Sequence, residues 1–214
     1  MTREPAMSAA ELDLALASGW DAVQRCKKEG VNLLGLGEMG IGNTTAASAV
    51  IAALTGSAAE DVTGRGTGLG QSALEHKIGV IKKALSLHGE FVKDPLECLR
   101  RVGGYELAGM TGAILGAAAF QIPVVIDGWI VSASALAALR INPAAADYLF
   151  FAHQSEECGH RFLLDFLEVH PLLNLSLRLG EASGAALAMG VLDAAVRIYN
   201  EVATFAEAGV AGRS

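Results

Sequence analysis

The run IPVVIDGW, residues 122–129, restricts the fold more than any other stretch of this chain. From Ile122 to Ile126 no side chain is polar, so neither face of the run is suited to water. Such a strand has to be covered on both sides, the condition of a strand inside a parallel sheet with helices on either face. It ends at Asp127 and Gly128, and ASALAALR then takes up helical spacing. A second apolar run, VNLLGLG, ends in glycines before NTTAASAVIAALTG, which reads as a helix closed by Gly56.

The same rhythm extends along the chain. Ser8–Gly30 has a serine cap, an apolar stripe and a terminal glycine. GRGTGLG is a loop, and QSALEHKIGVIKKALSLHG is a helix closed by Gly89. DPLECLRRVGG opens with an Asp cap and a proline in its first turn. ELAGMTGAILGAAAFQ is a helix of small residues able to pack tightly on a neighbour. DYLFFAH continues the alternation, CGHRFLLDFLEVH is a helix, and LLNLSLRLGE is a short strand or loop. ASGAALAMGVLDAAVRIYNEVATF is a long closing helix. Strand-then-helix alternation predicts an α/β fold with a layered parallel sheet. The expected division is a helical segment over 1–30, an α/β core over 31–182, and a helical segment over 183–214.

Composition narrows the function classes. A chain of 214 residues, 52% hydrophobic, can bury a substantial core as one domain. Its net charge of −7 and lack of a basic stripe argue against nucleic acid or an anionic membrane as partner. The longest apolar stretch, Leu107 to Ile126, is interrupted by glycines, Gln121 and Pro123, so it reads as a buried helix and strand. A transmembrane span would want about 20 unbroken apolar residues. Cys26, Cys98 and Cys158 form no CxxC pair, which argues against a zinc site or a disulfide framework and fits a reducing cytoplasm. Cys158 lacks an activating partner and reads as a core thiol. The polar start MTREPAMSAAELDLAL has no signal-peptide core, so a cytoplasmic location is expected.

Ligands of open parallel sheets sit at the carboxyl ends of the strands. GEMGIGNTT, IDGW, FAHQSEECGH and LGEASG all follow strand-like runs, and GRGTGL precedes a helix. GEMGIGNTT suits a phosphate cradle, since glycines admit backbone N–H groups to an anion before a helix start. It is neither a Walker A loop nor a complete GxGxxG fingerprint, and it reads equally as a tight turn capped by Asn43 or Thr44. Lys77, in GRGTGLGQSALEHK, reads either as a phosphate partner or as a solvated helical lysine. Asp127 could meet ribose hydroxyls or cap the following helix. His153 and His160, seven residues apart across a glycine, suit structural roles better than a metal site. Glu181 lies between an apolar run and a helix start, where it could answer the helix dipole or act as a base.

GEMGIGNTTAA, GRGTGL followed by HK, VVIDGWI, AHQSEECGH and LGEASGAALA occur in this order from TREPAM onward. Together they closely resemble the nicotinate-nucleotide:dimethylbenzimidazole phosphoribosyltransferases. That resemblance implies a Rossmann-like α/β sheet flanked by helices, with part of a small helical domain, working as a homodimer without metal or cofactor. It implies transfer of phosphoribose from nicotinate mononucleotide to 5,6-dimethylbenzimidazole or a related base, giving α-ribazole 5′-phosphate and nicotinate in cobalamin biosynthesis. It assigns Glu181 as general base and Glu38 as the second catalytic carboxylate. It assigns substrate contacts to Gly37, Met39, Gly40, Ile41, Gly42, Asn43 and Thr44, to Gly66, Thr67, Gly68 and Lys77, and to Asp127, Gly128 and Leu179. Two departures stand out: Ala182 occupies a position where glycine is frequent, and the chain begins where family members are already under way. The missing portion would include sheet strands and residues of the benzimidazole pocket. The rival readings are a non-catalytic nucleotide-binding or dimerisation fragment and an NAD-dependent oxidoreductase, the latter resting only on a glycine-rich turn.

Overall fold

The doubly apolar run 122–126 is the middle of the sheet. The computed structural model describes residues 1–66, 68 and 70–210. Strand β1 (Leu34–Leu36) pairs with β2 (Val124–Ile126), and β2 with β3 (Leu149–Phe151), all parallel. Strand β4 (His153–Ser155) pairs in parallel with β5 (Leu173–Leu177). Ala152 joins the two ladders: its N–H donates to Ile126 O at 2.8 Å, and its carbonyl accepts from Leu173 N at 2.9 Å. The strand run 149–155 thus passes from β2 on one side to β5 on the other.

Helices cover both faces of the sheet, as the sequence of β2 requires. Helices α1 (Ala9–Lys28), α2 (Asn43–Thr55), α3 (Gln71–His88), α4 (Pro95–Val102) and α5 (Tyr105–Ala119) precede or connect to β2; α6 (Trp129–Ile141) and α7 (His160–Phe166) follow. Helix α8 (Ser183–Glu201) closes the fold. Side chains of a strand alternate between faces. Val124 and Ile126 accordingly enter the large core with α2, α5 and α6, whereas Val125 joins Ala152, Ala185 and Ala188 in a smaller core with α8. A Cβ on Gly35, the β1 neighbour of Val125, would lie 2.8 Å from the Met189 methyl, so α8 rests directly on the strand backbone there.

Helix ends follow their local sequence. Ser8 and Glu11 form a reciprocal capping box, with bonds of 3.2 and 2.7 Å, before α1. Asp94 accepts from Glu97 N at 2.9 Å before Pro95 opens α4. Gly56 ends α2 in a left-handed conformation.

The small-residue helix finds its neighbour within the chain, and one cysteine departs from its expected place. The small-residue face of α5 is filled by α1 of the same chain: a Cβ at Gly112 would overlap Leu16 O, and one at Gly19 would overlap Gly109 O. That face therefore gives no argument for assembly. Cys158 is exposed rather than a core thiol; the buried cysteine is Cys98, whose pKa burial pushes up to about 12. Among the described residues, no helix is long and apolar enough to cross a membrane.

Candidate active site

Three of the strand-end turns named from the sequence meet at one rim. The turn after β1 and the turn after β5 are joined through their backbones, with Glu181 N–H donating to Glu38 O at 3.1 Å. Gly37 packs so closely on the second turn that a Cβ there would overlap Ala182 N. A Cβ on Gly180 would lie 3.6 Å from Glu38 Oε1, so the Glu38 carboxylate extends over that glycine. Gly180, Glu181 and Ala182 have φ values of 83°, 58° and 60°, three successive left-handed residues. Only the first is a glycine, and L side chains adopt this region at a cost of roughly 1–2 kcal/mol.

Neither Asn43 nor Thr44 caps α2. Its N-cap is Gly42, at φ 95°, with no side-chain cap bond. Asn43 Nδ2 instead donates to Glu38 Oε2, and Thr44 Oγ1 accepts from Lys77 Nζ at 2.8 Å. Both side chains are committed to the site, and the positive end of α2 carries no side-chain cap. Burial raises the pKa of Glu38; Asn43 opposes the shift, while Glu106 and Asp127 add to it. Met39, Ile41 and Leu179, in the same two turns, are 80%, 95% and 73% exposed, and Gly40 is exposed with them.

Lys77 is not a solvated helical lysine. It is only 6% exposed, and its ammonium also donates to Gly64 O at 3.0 Å. Burial lowers its pKa, against the pull of Glu157 and Cys158. A Cβ on Gly66 would lie 3.1 Å from Thr44 Oγ1 and 3.8 Å from Lys77 Nζ, which brings the 64–68 loop against the start of α2. Glu157 closes the loop from the other side, accepting from the Gly66 backbone, and its own pKa is raised mainly by burial. Beside Lys77, the first turns of α2 and α3 flank a cleft of about 820 Å³ lined by Thr45, Gln71, His76 and Lys77. Gly68 belongs to the same loop, at φ 108°. Thr67 lies outside the described residues.

Asp127 and Gly128 lie deeper. Asp127 caps no residue of α6, whose N-cap Gly128 has no side-chain bond; Asp127 Oδ1 accepts from Ala185 N at 2.9 Å, in the first turn of α8. His153 Nε2 is 3.8 Å from the same oxygen. His160 is fully buried, its Nδ1 accepting from Ser155 N at 2.8 Å and its Nε2 3.0 Å from Ser132 Oγ. A ring that accepts at Nδ1 while neutral carries its proton on Nε2, so Ser132 receives it. Burial, helped by His153, holds the His160 pKa down to about 3. Both histidines are thus parts of the packed frame below the rim.

Glu106 and Glu157 enter the site's electrostatics although neither was singled out from the sequence, where Glu157 lies within AHQSEECGH. Glu106 resembles any acid in a first helical turn, and Glu157 gains its meaning only from a loop far earlier in the chain, at Gly66.

A family model described as phosphoribosyltransferase matches residues 1–210. The chain is 52% identical over 210 residues to the nicotinate-nucleotide--dimethylbenzimidazole phosphoribosyltransferase of Geobacter metallireducens, covering 98% of this chain and 58% of that protein. It is 49% identical to the protein of the same name from Prosthecochloris aestuarii, covering 100% of this chain and 61% of the relative. The crystal structure of CobT from Thermus thermophilus superposes with a TM-score of 0.94 at 45% identity, over 99% of this chain and 63% of that one. This chain spans roughly three-fifths of the length of these relatives. The chain belongs to the phosphoribosyltransferase family whose curated members carry the name nicotinate-nucleotide--dimethylbenzimidazole phosphoribosyltransferase.

Proposed function

We propose that this chain carries the nucleotide and base-activating chemistry of a transferase that moves phosphoribose from nicotinate mononucleotide to 5,6-dimethylbenzimidazole or a related base. The observation that carries the reading is the bond from Glu181 N–H to Glu38 O, which locks two carboxylate-bearing turns together at the carboxyl end of a parallel sheet. Lys77, Thr44, the 64–68 loop and the start of α2 would hold the phosphate, since backbone N–H groups and one buried cation suit a dianion. Met39, Ile41 and Leu179 supply an apolar rim for flat rings. As the glycosidic bond breaks, its electron pair leaves with nicotinate. A benzimidazole nitrogen then attacks C1′ from the opposite face, and Glu181 takes the N–H proton. Inversion at C1′ converts a β nucleotide into an α product. Glu38, beside Asn43, serves to place the reacting groups.

The test is incubation of this 214-residue chain with both substrates, followed by nicotinate release and identification of α-ribazole 5′-phosphate. Glu181→Gln should lower turnover by about 10²–10⁴-fold with little change in nucleotide affinity. Glu38→Gln should show part of its effect in binding. Near-normal turnover in Glu181→Gln would remove Glu181 as base. Saturable nucleotide binding without nicotinate release would instead indicate a binding fragment.

The homodimer reading rests on a different surface from α5. Leu187, Val191 and Ile198 of α8 are exposed at helical spacing, next to the exposed Tyr199. Phe150 of β3, level with Val125, is also exposed on this side of the sheet. Apolar surface of this extent calls for cover, which a second copy would supply. Light scattering should give about twice the 22.1 kDa chain mass; a stable monomer would sink this assignment.

A further inference from the structure

Asp127 sits where a residue could either touch the nucleotide or hold the catalytic turn. It is 3% exposed, and its Oδ1 is engaged by Ala185 N. The residue bonded to it is 58 positions away, so this is a tertiary cap delivered from β2 to a helix whose own N-cap, Ala182, makes no side-chain cap bond. Glu181 immediately precedes that N-cap.

The packing around Asp127 leaves little freedom. His153 is equally buried, and a Cβ on Gly184 would overlap its ring and lie 2.8 Å from Asp127 Oδ1. A Cβ on Gly128 would lie 3.2 Å from His153 Nε2. The end of β2, the start of β4 and the first turn of α8 therefore meet without a gap. His153 Nδ1 is buried without a hydrogen-bond partner, a polar atom held in place by packing rather than by its own bonding. From this block two bonds lead to the rim: Ser183 N to Gly180 O at 3.0 Å, and Glu181 N to Glu38 O at 3.1 Å.

We propose that Asp127, backed by His153, is a positioning residue that fixes the first turn of α8, and through it the backbone of Glu181, instead of contacting the nucleotide. A carboxylate at a helix N-terminus is favourable in itself, and here it also anchors three left-handed residues that carry the base. A displaced catalytic group loses rate steeply, so the role is kinetic rather than one of affinity.

This inference rests on Glu181 being the base, and its test separates the two. Asp127→Ala should lower kcat by about 10²-fold while nucleotide affinity, measured by calorimetry, stays unchanged. Amide hydrogen exchange at 181–186 should accelerate. Asp127→Asn keeps a carbonyl oxygen for Ala185 N–H and should recover most of the rate and of the exchange protection. If both variants bind nucleotide more than about tenfold more weakly with kcat preserved, Asp127 contacts the nucleotide and the proposal fails. Unchanged exchange at 181–186 in Asp127→Ala overturns it as well. Should Asp127→Ala not fold, Asp127→Asn decides alone: retained affinity, rate and protection support positioning, and lost affinity refutes it. If the unaltered chain neither binds nor turns over nucleotide, the functional reading fails, and the exchange comparison still decides what Asp127 holds.

Discussion

At Ala182 the backbone conformation and the residue type disagree. Its φ is 60° and ψ 19°, a region that penalises a Cβ, and Glu181 before it has the same hand. Ala182 also lies against Gly37, where the two turns touch. Glu181 cannot become glycine without losing its carboxylate, whereas Ala182 would lose only a methyl. Ala182→Gly should stabilise the fold by about 1 kcal/mol, less whatever the freer glycine adds to the unfolded chain's entropy. Thermal melts read this directly, and a loss of stability would mean that the methyl packs better than its strain costs. Strain of this kind gathers at functional turns. If it serves to aim Glu181, Ala182→Gly should slow turnover even as it raises the melting temperature.

Elements differ in what their own sequence can declare. Helix α1 meets α5 at glycines, with a Cβ at Gly112 overlapping Leu16 O and lying 2.7 Å from Leu16 C. Since backbone cannot give way as a side chain can, Gly112→Ala should push the helices apart and cost about 1–3 kcal/mol. Gly79, inside α3, is the control: nothing lies within 4 Å of its added Cβ, so Gly79→Ala should gain about 0.5–1 kcal/mol from helix propensity alone. Denaturant titrations of both variants should move in opposite directions; a shared direction would mean that the α1–α5 contact does not depend on the missing methyl. The small-residue pattern of α5 was legible in the sequence, but its occupant was not, because spacing within one helix cannot say which other helix fits it. The same limit applies across the site. The strand-end turns were legible from local runs of apolar residues and glycine. The pairs Lys77–Thr44 and Asp127–Ala185, 33 and 58 residues apart, arise from the order in which the strands are laid down. Asn43 and Thr44 read as caps for the same reason: a local partner is all that a local sequence offers.

For the whole molecule, buried ionisable groups tie stability to pH. His160, fully buried between Ser132 and Ser155, has its pKa held from 6.5 down to about 3, by burial first and His153 second. The unfolded chain therefore binds a proton at this residue over a range where the folded chain does not. The stability this contributes is fully present above pH 6.5 and is lost as pH falls towards about 3. Glu97, between Arg100 and Arg101, adds a second loss with the same sign as pH falls from 4.5 to about 2, reduced by its partial exposure. Glu38 acts in the opposite sense: burial raises its pKa above 4.5, so its folded-state contribution weakens as pH rises through that window. One site thus gives up stability at higher pH to keep a half-buried carboxylate at the rim, while the frame beneath requires a neutral imidazole. The His160 contribution has a slope of up to about 1.4 kcal/mol per pH unit below pH 6.5. Urea unfolding at about pH 7 and about pH 5 should register it as a lower midpoint at the acid value. His160→Asn keeps an oxygen able to accept from Ser155 N–H but removes the titration. It should lower stability at neutral pH and flatten the dependence between those two values. An undiminished slope in His160→Asn would assign the acid sensitivity to other groups and leave His160 as packing alone.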